Sequence, residues 1–239
     1  MVKWVPDRTG RFPKRPHYDQ KELDRECEAI VARFLRQRYG KVEYPLSTSD
    51  LTVLVEHHCS DLDQFADLSA EGHDVEGVTE FYADRLPRIS ISAELANDER
   101  RENRFRTTLA HELGHAHFHS MLFSELFQPG VLFAQRPLEA KAVCKRETIL
   151  NAREVDWLEW QAGYASGAFL MPASALRRQL SEFCASSGLH ALVHVSSPES
   201  EAMQRLVTEA FQVSMDAARV RLLKLGYLTD QQVPRSLFG

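Results

Sequence analysis

Apolar positions recur along this chain with two different periods, and the switch between them marks its layout. From Asp19 onward Leu23, Cys27, Ile30, Val31, Phe34 and Leu35 keep helical spacing until Gly40 stops the run, which predicts an amphipathic helix capped by Asp19. After Pro45, Ser47 or Thr48 can cap a second helix reaching about His58, with Leu51, Leu54 and Val55 inward and His57 and His58 solvated. The period then changes. Segments 62–68, 75–82 and 88–92 are short, partly alternating and punctuated by Gly72, Gly77 and Pro87, the pattern of a small antiparallel sheet. The last of them, R-I-S-I-S, alternates strictly and reads as an edge strand able to hold an extended peptide by main-chain hydrogen bonds.

Helical spacing returns after Asn97 or Asp98. Residues 99–106 form a polar, arginine-rich first half expected in solvent, and Phe105, Leu109 and Leu113 then form an apolar stripe. Another helix is predicted from about Asn151, with Glu154 completing a capping box, to Pro172. Leu176, Leu180 and Phe183 give a short helix ending at Gly188, and Pro198 starts one in which Ala202, Leu206, Val207, Ala210 and Phe211 face one way. Ser214 caps the last. These two final helices resemble a helix-turn-helix, with Arg219, Arg221 and Lys224 on the second. So few basic residues favour packing through Val220, Leu222 and Leu225 over DNA contact. At the other end, residues 1–18 combine three prolines with Lys3, Arg8, Arg11, Lys14 and Arg15, a basic extended arm. The expected division is therefore an arm (1–18), an α+β domain (19–188) and a helical extension (189–239).

Composition narrows the classes. With 239 residues, 44% of them hydrophobic, the chain can bury an ordinary core. No apolar run approaches a membrane span, and the first residues lack a signal-peptide stretch, so an intracellular protein without membrane contact is expected. Cys27, Cys59, Cys144 and Cys184 are too scattered for a disulfide framework or a zinc knuckle. A net charge of −5 argues against non-specific nucleic-acid binding.

The chemistry concentrates in residues 104–119. His111 and His115 stand four apart, one turn above each other on a helix, so both imidazoles can reach one metal ion. Zinc is the expected ion, one per chain, and Glu112 beside the first histidine is placed to take a proton from a water that the metal makes acidic. Such a site needs a third protein ligand. Met121 stands where a metzincin would have its third histidine, and His117 and His119 read as a flexible surface cluster. Glu159 is the better candidate. Near it Ala162, Gly163, Ser166 and Gly167 form a strip of small side chains, to which Gly114 is the natural counterpart, and close contact there would bring Glu159 to the two histidines. Asp156 is the rival, while Glu154 is more simply a cap. Two further residues are marked: Cys144, with Lys145 and Arg146 beside it to favour the thiolate, as an inhibitory fourth ligand, and Tyr164 as an oxyanion stabiliser.

With these pieces in place the chain resembles the ImmA/IrrE family of metallopeptidases. T-L-A-H-E-L-G-H at residues 108–115 and E-W-Q-A-G-Y-A-S-G-A-F-L-M-P at residues 159–172 match that family's two motifs, and the likeness runs over about residues 45–226. Gly163 departs from the pattern, which has Asn there. The resemblance implies a zincin-like α+β fold, with His111, His115 and Glu159 as metal ligands and Glu112 as general acid and base. It further implies a cytoplasmic endopeptidase that cleaves a DNA-binding repressor, releasing a stress, mobile-element or phage-defence programme. No room for a repressor-like domain precedes the first sheet, so the helix-turn-helix repressor would be a separate partner encoded nearby. The alternative is a DNA-binding regulator whose metal site is structural or sensory.

Overall fold

The computed structural model describes residues 3–126, 139–145, 156–188 and 192–231. Strands β1 (Lys3–Pro6) and β2 (Lys14–His17) form an antiparallel hairpin, so the basic arm is folded back on itself. Its turn is closed by Asp7, whose carboxylate accepts from the backbone N–H groups of Thr9 and Phe12. Phe12 is buried against Phe123 and Trp157, which anchors the hairpin to the body of the protein.

Helix α1 (Gln20–Tyr39) starts at the expected cap: Asp19 and Glu22 exchange side-chain and backbone hydrogen bonds, and Gly40 ends the helix at φ 73°. Its six predicted inward residues are all buried. Ser47 caps α2 (Thr48–Glu56).

The main sheet has four strands, β3 (Asp61–Ala66), β4 (Val75–Tyr82), β5 (Arg88–Ser92) and β6 (Glu139–Lys145), in the order β3-β5-β4-β6. It is mixed rather than antiparallel, because β3 runs parallel to β5 while β4 is antiparallel to both of its neighbours. Side-chain alternation reports which face is buried and carries no information on strand direction. The expected edge strand, R-I-S-I-S, is β5 and lies inside the sheet, with Ile89 and Ile91 fully buried.

After a short helix α3 (Ala93–Ala96) and a 3-10 turn (Glu99–Arg101), helix α4 (Glu102–Leu126) runs through the centre of the protein. Its arginine-rich beginning is not solvated. Arg101 and Arg104 both pair with buried Glu76, and Arg106 is itself buried. The Arg106 guanidinium donates to the carbonyls of Gln212 and Phe211 and to Thr48, so polar side chains here complete the interior.

Helix α5 (Trp157–Leu170) is also central; Asn151 and Glu154, its expected capping box, lie outside the described residues. Helices α6 (Ala173–Ser186), α7 (Pro198–Phe211) and α8 (Met215–Lys224) follow, with Ser214 capping α8 as expected. Strands β7 (Val193–His194) and β8 (Leu228–Thr229) form a small parallel pair. The buried face of α7 consists of Ser200, Met203, Gln204, Val207 and Phe211, rotated from the expected one, because two polar residues pack inward. Arg221, counted above among DNA-facing cations, points into the core, where it donates to Asp24 and to the Met171 carbonyl. One cluster of buried apolar side chains extends from Leu23 to Leu228 and crosses residue 188, so the expected division there does not divide the core. Among the described residues no helix is long and apolar enough to cross a membrane.

Helices α4 and α5 approach closely through small residues. A Cβ built on Gly114 would lie 3.0 Å from the Ala162 Cα, 3.2 Å from its carbonyl oxygen and 3.3 Å from the Ala165 Cβ. The counterpart of Gly114 is thus Ala162 with Ala165, while Gly167 faces the Arg221 side chain on α8. Helix propensity favours Gly114→Ala by about 1 kcal/mol. Overpacking against a backbone that cannot yield costs about 1–3 kcal/mol, so we expect a net loss of stability, read as a lowered midpoint of thermal unfolding.

Candidate metal centre

The α4–α5 contact brings three side chains from two distant stretches to one point. His111 Nε2 lies 3.0 Å from His115 Nε2 and 3.2 Å from Glu159 Oε2, and His115 Nε2 lies 3.2 Å from Glu159 Oε1. Both histidines are fully buried and Glu159 is nearly so. Atoms bound tetrahedrally at metal–ligand distances of about 2.0–2.2 Å stand about 3.3–3.6 Å from one another, so the three side chains need to open by only a few tenths of an ångström to hold a single ion. The donor set, two imidazoles and a carboxylate, is equally suited to a divalent metal. Burial alone would raise the Glu159 carboxyl, but the His115 and His111 imidazoles hold it well below the usual carboxylate range. The rival Asp156 is exposed at the start of α5.

Glu112 lies on the other side of His111, against the sheet. The Thr79 hydroxyl on β4 donates to its Oε2 at 2.5 Å, while its Oε1 is buried without a hydrogen-bond partner among the described residues. Burial pushes the Glu112 carboxyl up to about 7. Backbone makes the room: a Cβ on Gly77 of β4 would clash with Glu112 Oε1, so only glycine leaves space for the carboxylate in this position.

Cys144 reaches this site from β6, where it pairs with Gly77, and its sulfur is grouped with ligand atoms of His111 and Glu112 within 4.8 Å. It lies in a strand rather than in an irregular connection. The charges acting on it are of both signs, carboxylates opposed by the Arg104 guanidinium. Burial and the carboxylates of Glu112 and Glu159 push its thiol well up, and Arg146 is outside the described residues. Tyr164 is not brought into the group. Its hydroxyl donates to Asp24 on α1 at 2.9 Å, and the Arg221 guanidinium lies over its ring.

His119 is a correction. It is fully buried rather than part of a surface cluster, with Nδ1 at 3.1 Å from His115 Nδ1 and Nε2 at 3.1 Å from Gln161 Oε1. Its position four residues beyond His115 places it on the ligand face, and Gln161 is a polar residue in a helix that is otherwise mostly apolar. Those two signals mark the pair in the sequence. Thr79 and Gly77 gave no comparable sign, since threonine and glycine in a strand have ordinary structural uses.

The geometry carries a direct prediction. Purified protein should hold about one divalent ion per chain, and His111→Ala, His115→Ala or Glu159→Ala should each sharply reduce it by elemental analysis, because three protein ligands are the minimum shell. Full metal content in Glu159→Ala would remove that carboxylate from the set.

Comparison with known proteins agrees with this constellation. No curated protein matches the chain. A family model, Peptidase_M78, described as the IrrE N-terminal-like domain, matches residues 74–223, a span that takes in α4, α5 and the strands beside them. Matching more than half of the sequence and enclosing the buried His-His-Glu group, it shows that the chain belongs to the Peptidase_M78 family of IrrE N-terminal-like peptidase domains.

Proposed function

We propose that this protein is a zinc-dependent endopeptidase whose substrate is a separate helix-turn-helix repressor, cleaved to release the genes it silences. The observation that carries the zinc reading is the buried triangle of His111, His115 and Glu159, a donor set suited to that ion and flanked by a fully buried carboxylate, Glu112. A metal ion held by His111, His115 and Glu159 would supply Lewis acidity for activating water and polarising a peptide carbonyl. Glu112 takes the proton from the attacking water and returns it to the departing amine nitrogen. Burial raises the Glu112 carboxyl, the direction that favours its taking up a proton. The Thr79 hydroxyl and the Gly77 backbone keep it against the sheet, and burial keeps bulk water from it.

The substrate segment pairs with β6. Among the described residues this strand has a neighbour on one side only, and it carries Cys144 beside Glu112, so a chain added to its outer edge runs past the reacting groups. β6 takes over the role expected of β5. A DNA-bound repressor sets the compartment as the cytoplasm, and the acidic balance of the chain leaves DNA contact to the substrate.

Co-expression with repressors encoded beside its gene tests this reading. Parent protein should cleave one of them, while Glu112→Gln, equal in shape but without a basic oxygen, should retain metal and lose cleavage by about 10²–10⁴-fold. Undiminished cleavage by Glu112→Gln would exclude the mechanism, and intact repressors with the parent protein would exclude that substrate class. Gly77→Ala should keep the fold and metal content, because the carboxylate that must move is the end of a flexible side chain. Its cleavage rate should still fall about 10²-fold, the usual cost of misplacing a catalytic group by about 1 Å.

A further inference from the structure

Three consecutive hydrogen bonds lead away from His115 to the N-terminal hairpin. His115 Nδ1 meets His119 Nδ1 at 3.1 Å, His119 Nε2 meets Gln161 Oε1 at 3.1 Å, and the Gln161 amide nitrogen donates to the Pro16 carbonyl at 3.2 Å. His115 and His119 are fully buried, and Gln161 is 1% exposed. Proton positions along this chain of bonds follow from its far end. A backbone carbonyl only accepts, so the NH₂ group of Gln161 must face Pro16 and its oxygen must face His119. That oxygen also only accepts, which puts the His119 proton on Nε2. In a neutral imidazole the other nitrogen is then an acceptor, and it can be satisfied only by an N–H on His115 Nδ1. The lone pair of His115 is left on Nε2, the atom that faces His111 and Glu159.

We propose that His119 and Gln161 are positioning residues which, anchored by the Pro16 carbonyl, hold His115 in the one tautomer and ring orientation that can ligate a metal. The inference rests on His115 being a ligand, as proposed above. Hydrogen bonds to the second nitrogen of a metal-bound histidine fix its tautomer and raise its affinity. Usually the acceptor is a carboxylate or a carbonyl. Here a second imidazole transmits the direction of a carbonyl on the hairpin, and the hairpin is itself held by the Trp157 indole donating to Asp7 and by Phe12 packing on Trp157. The His119 ring stands edge-on to Trp157 at 5.7 Å, which fixes its plane.

Two measurements on the full chain test the relay. Long-range proton–nitrogen correlation spectra of ¹⁵N-histidine-labelled, metal-free protein should show His119 protonated on Nε2 and His115 on Nδ1. The opposite tautomer at His119 overturns the proposal whatever the variants do. Cobalt(II) affinity, measured against a chromophoric chelator, should fall about 10–100-fold in His119→Phe, which keeps the ring and removes the acceptor. His119→Asn, whose side-chain oxygen can stand near the position of Nδ1, should restore most of it, together with the parent visible absorption of the bound cobalt. A merely space-filling role predicts the reverse order, with Phe tolerated and Asn not. Equal affinity in the parent and His119→Phe overturns the relay. A parent protein that takes up no cobalt overturns the ligand reading and the relay with it, whereas cobalt binding by a parent whose His119 carries its proton on Nδ1 overturns the relay alone.

Discussion

Close contact between two helix backbones is the constraint on which the site depends. His111 and His115 come from one helix and need nothing but its pitch to face the same way. Glu159 comes from another helix 48 residues on from His111, and Gly114 lets the backbone of Ala162 approach to a distance at which a side chain would be crowded. Both helices are buried on almost every side, and the remaining elements cover them: α1 packs on α5, the sheet packs on α4, and α2 and the C-terminal helices close the rest. A polar triangle in that position would be costly if left unpaired. Its three members face one another, and two further polar shells, Thr79 with Glu112 and His119 with Gln161, surround them.

The parts of the fold that could be read in the sequence are those settled within a few residues. Asp19, Glu22 and Gly40 fix the ends of α1 because caps act over one turn, and its apolar spacing fixes the buried face. Ser47 and Ser214 behave in the same way. The histidine pair is equally local. Glu159 was legible at longer range, because small residues on one helix call for small residues on its partner. The strip as read spans two faces, however. Ala162 and Ala165 meet Gly114, whereas Gly167 meets the Arg221 side chain.

What escaped the sequence is whatever depends on a partner far along the chain. His119 looks like a surface histidine until Gln161, 42 residues away, is placed opposite its Nε2. Arg101 and Arg104 look solvated until Glu76 is placed opposite them, and Arg221 looks like a DNA contact until Asp24 is. Strand direction in the β3–β5 pair belongs to the same class, since alternation is identical in parallel and antiparallel neighbours. For charged residues above all, burial is a property of the pair, and no single position reveals it.

Arg106 gives the last of these hidden partnerships a mechanical meaning. It projects from the helix of the two histidines and grips the carbonyls of Phe211 and Gln212, the turn between the final two long helices. A buried guanidinium ties that turn to the helix that carries His111 and His115, so the C-terminal pair is joined to that helix by polar bonds as well as through the shared apolar core.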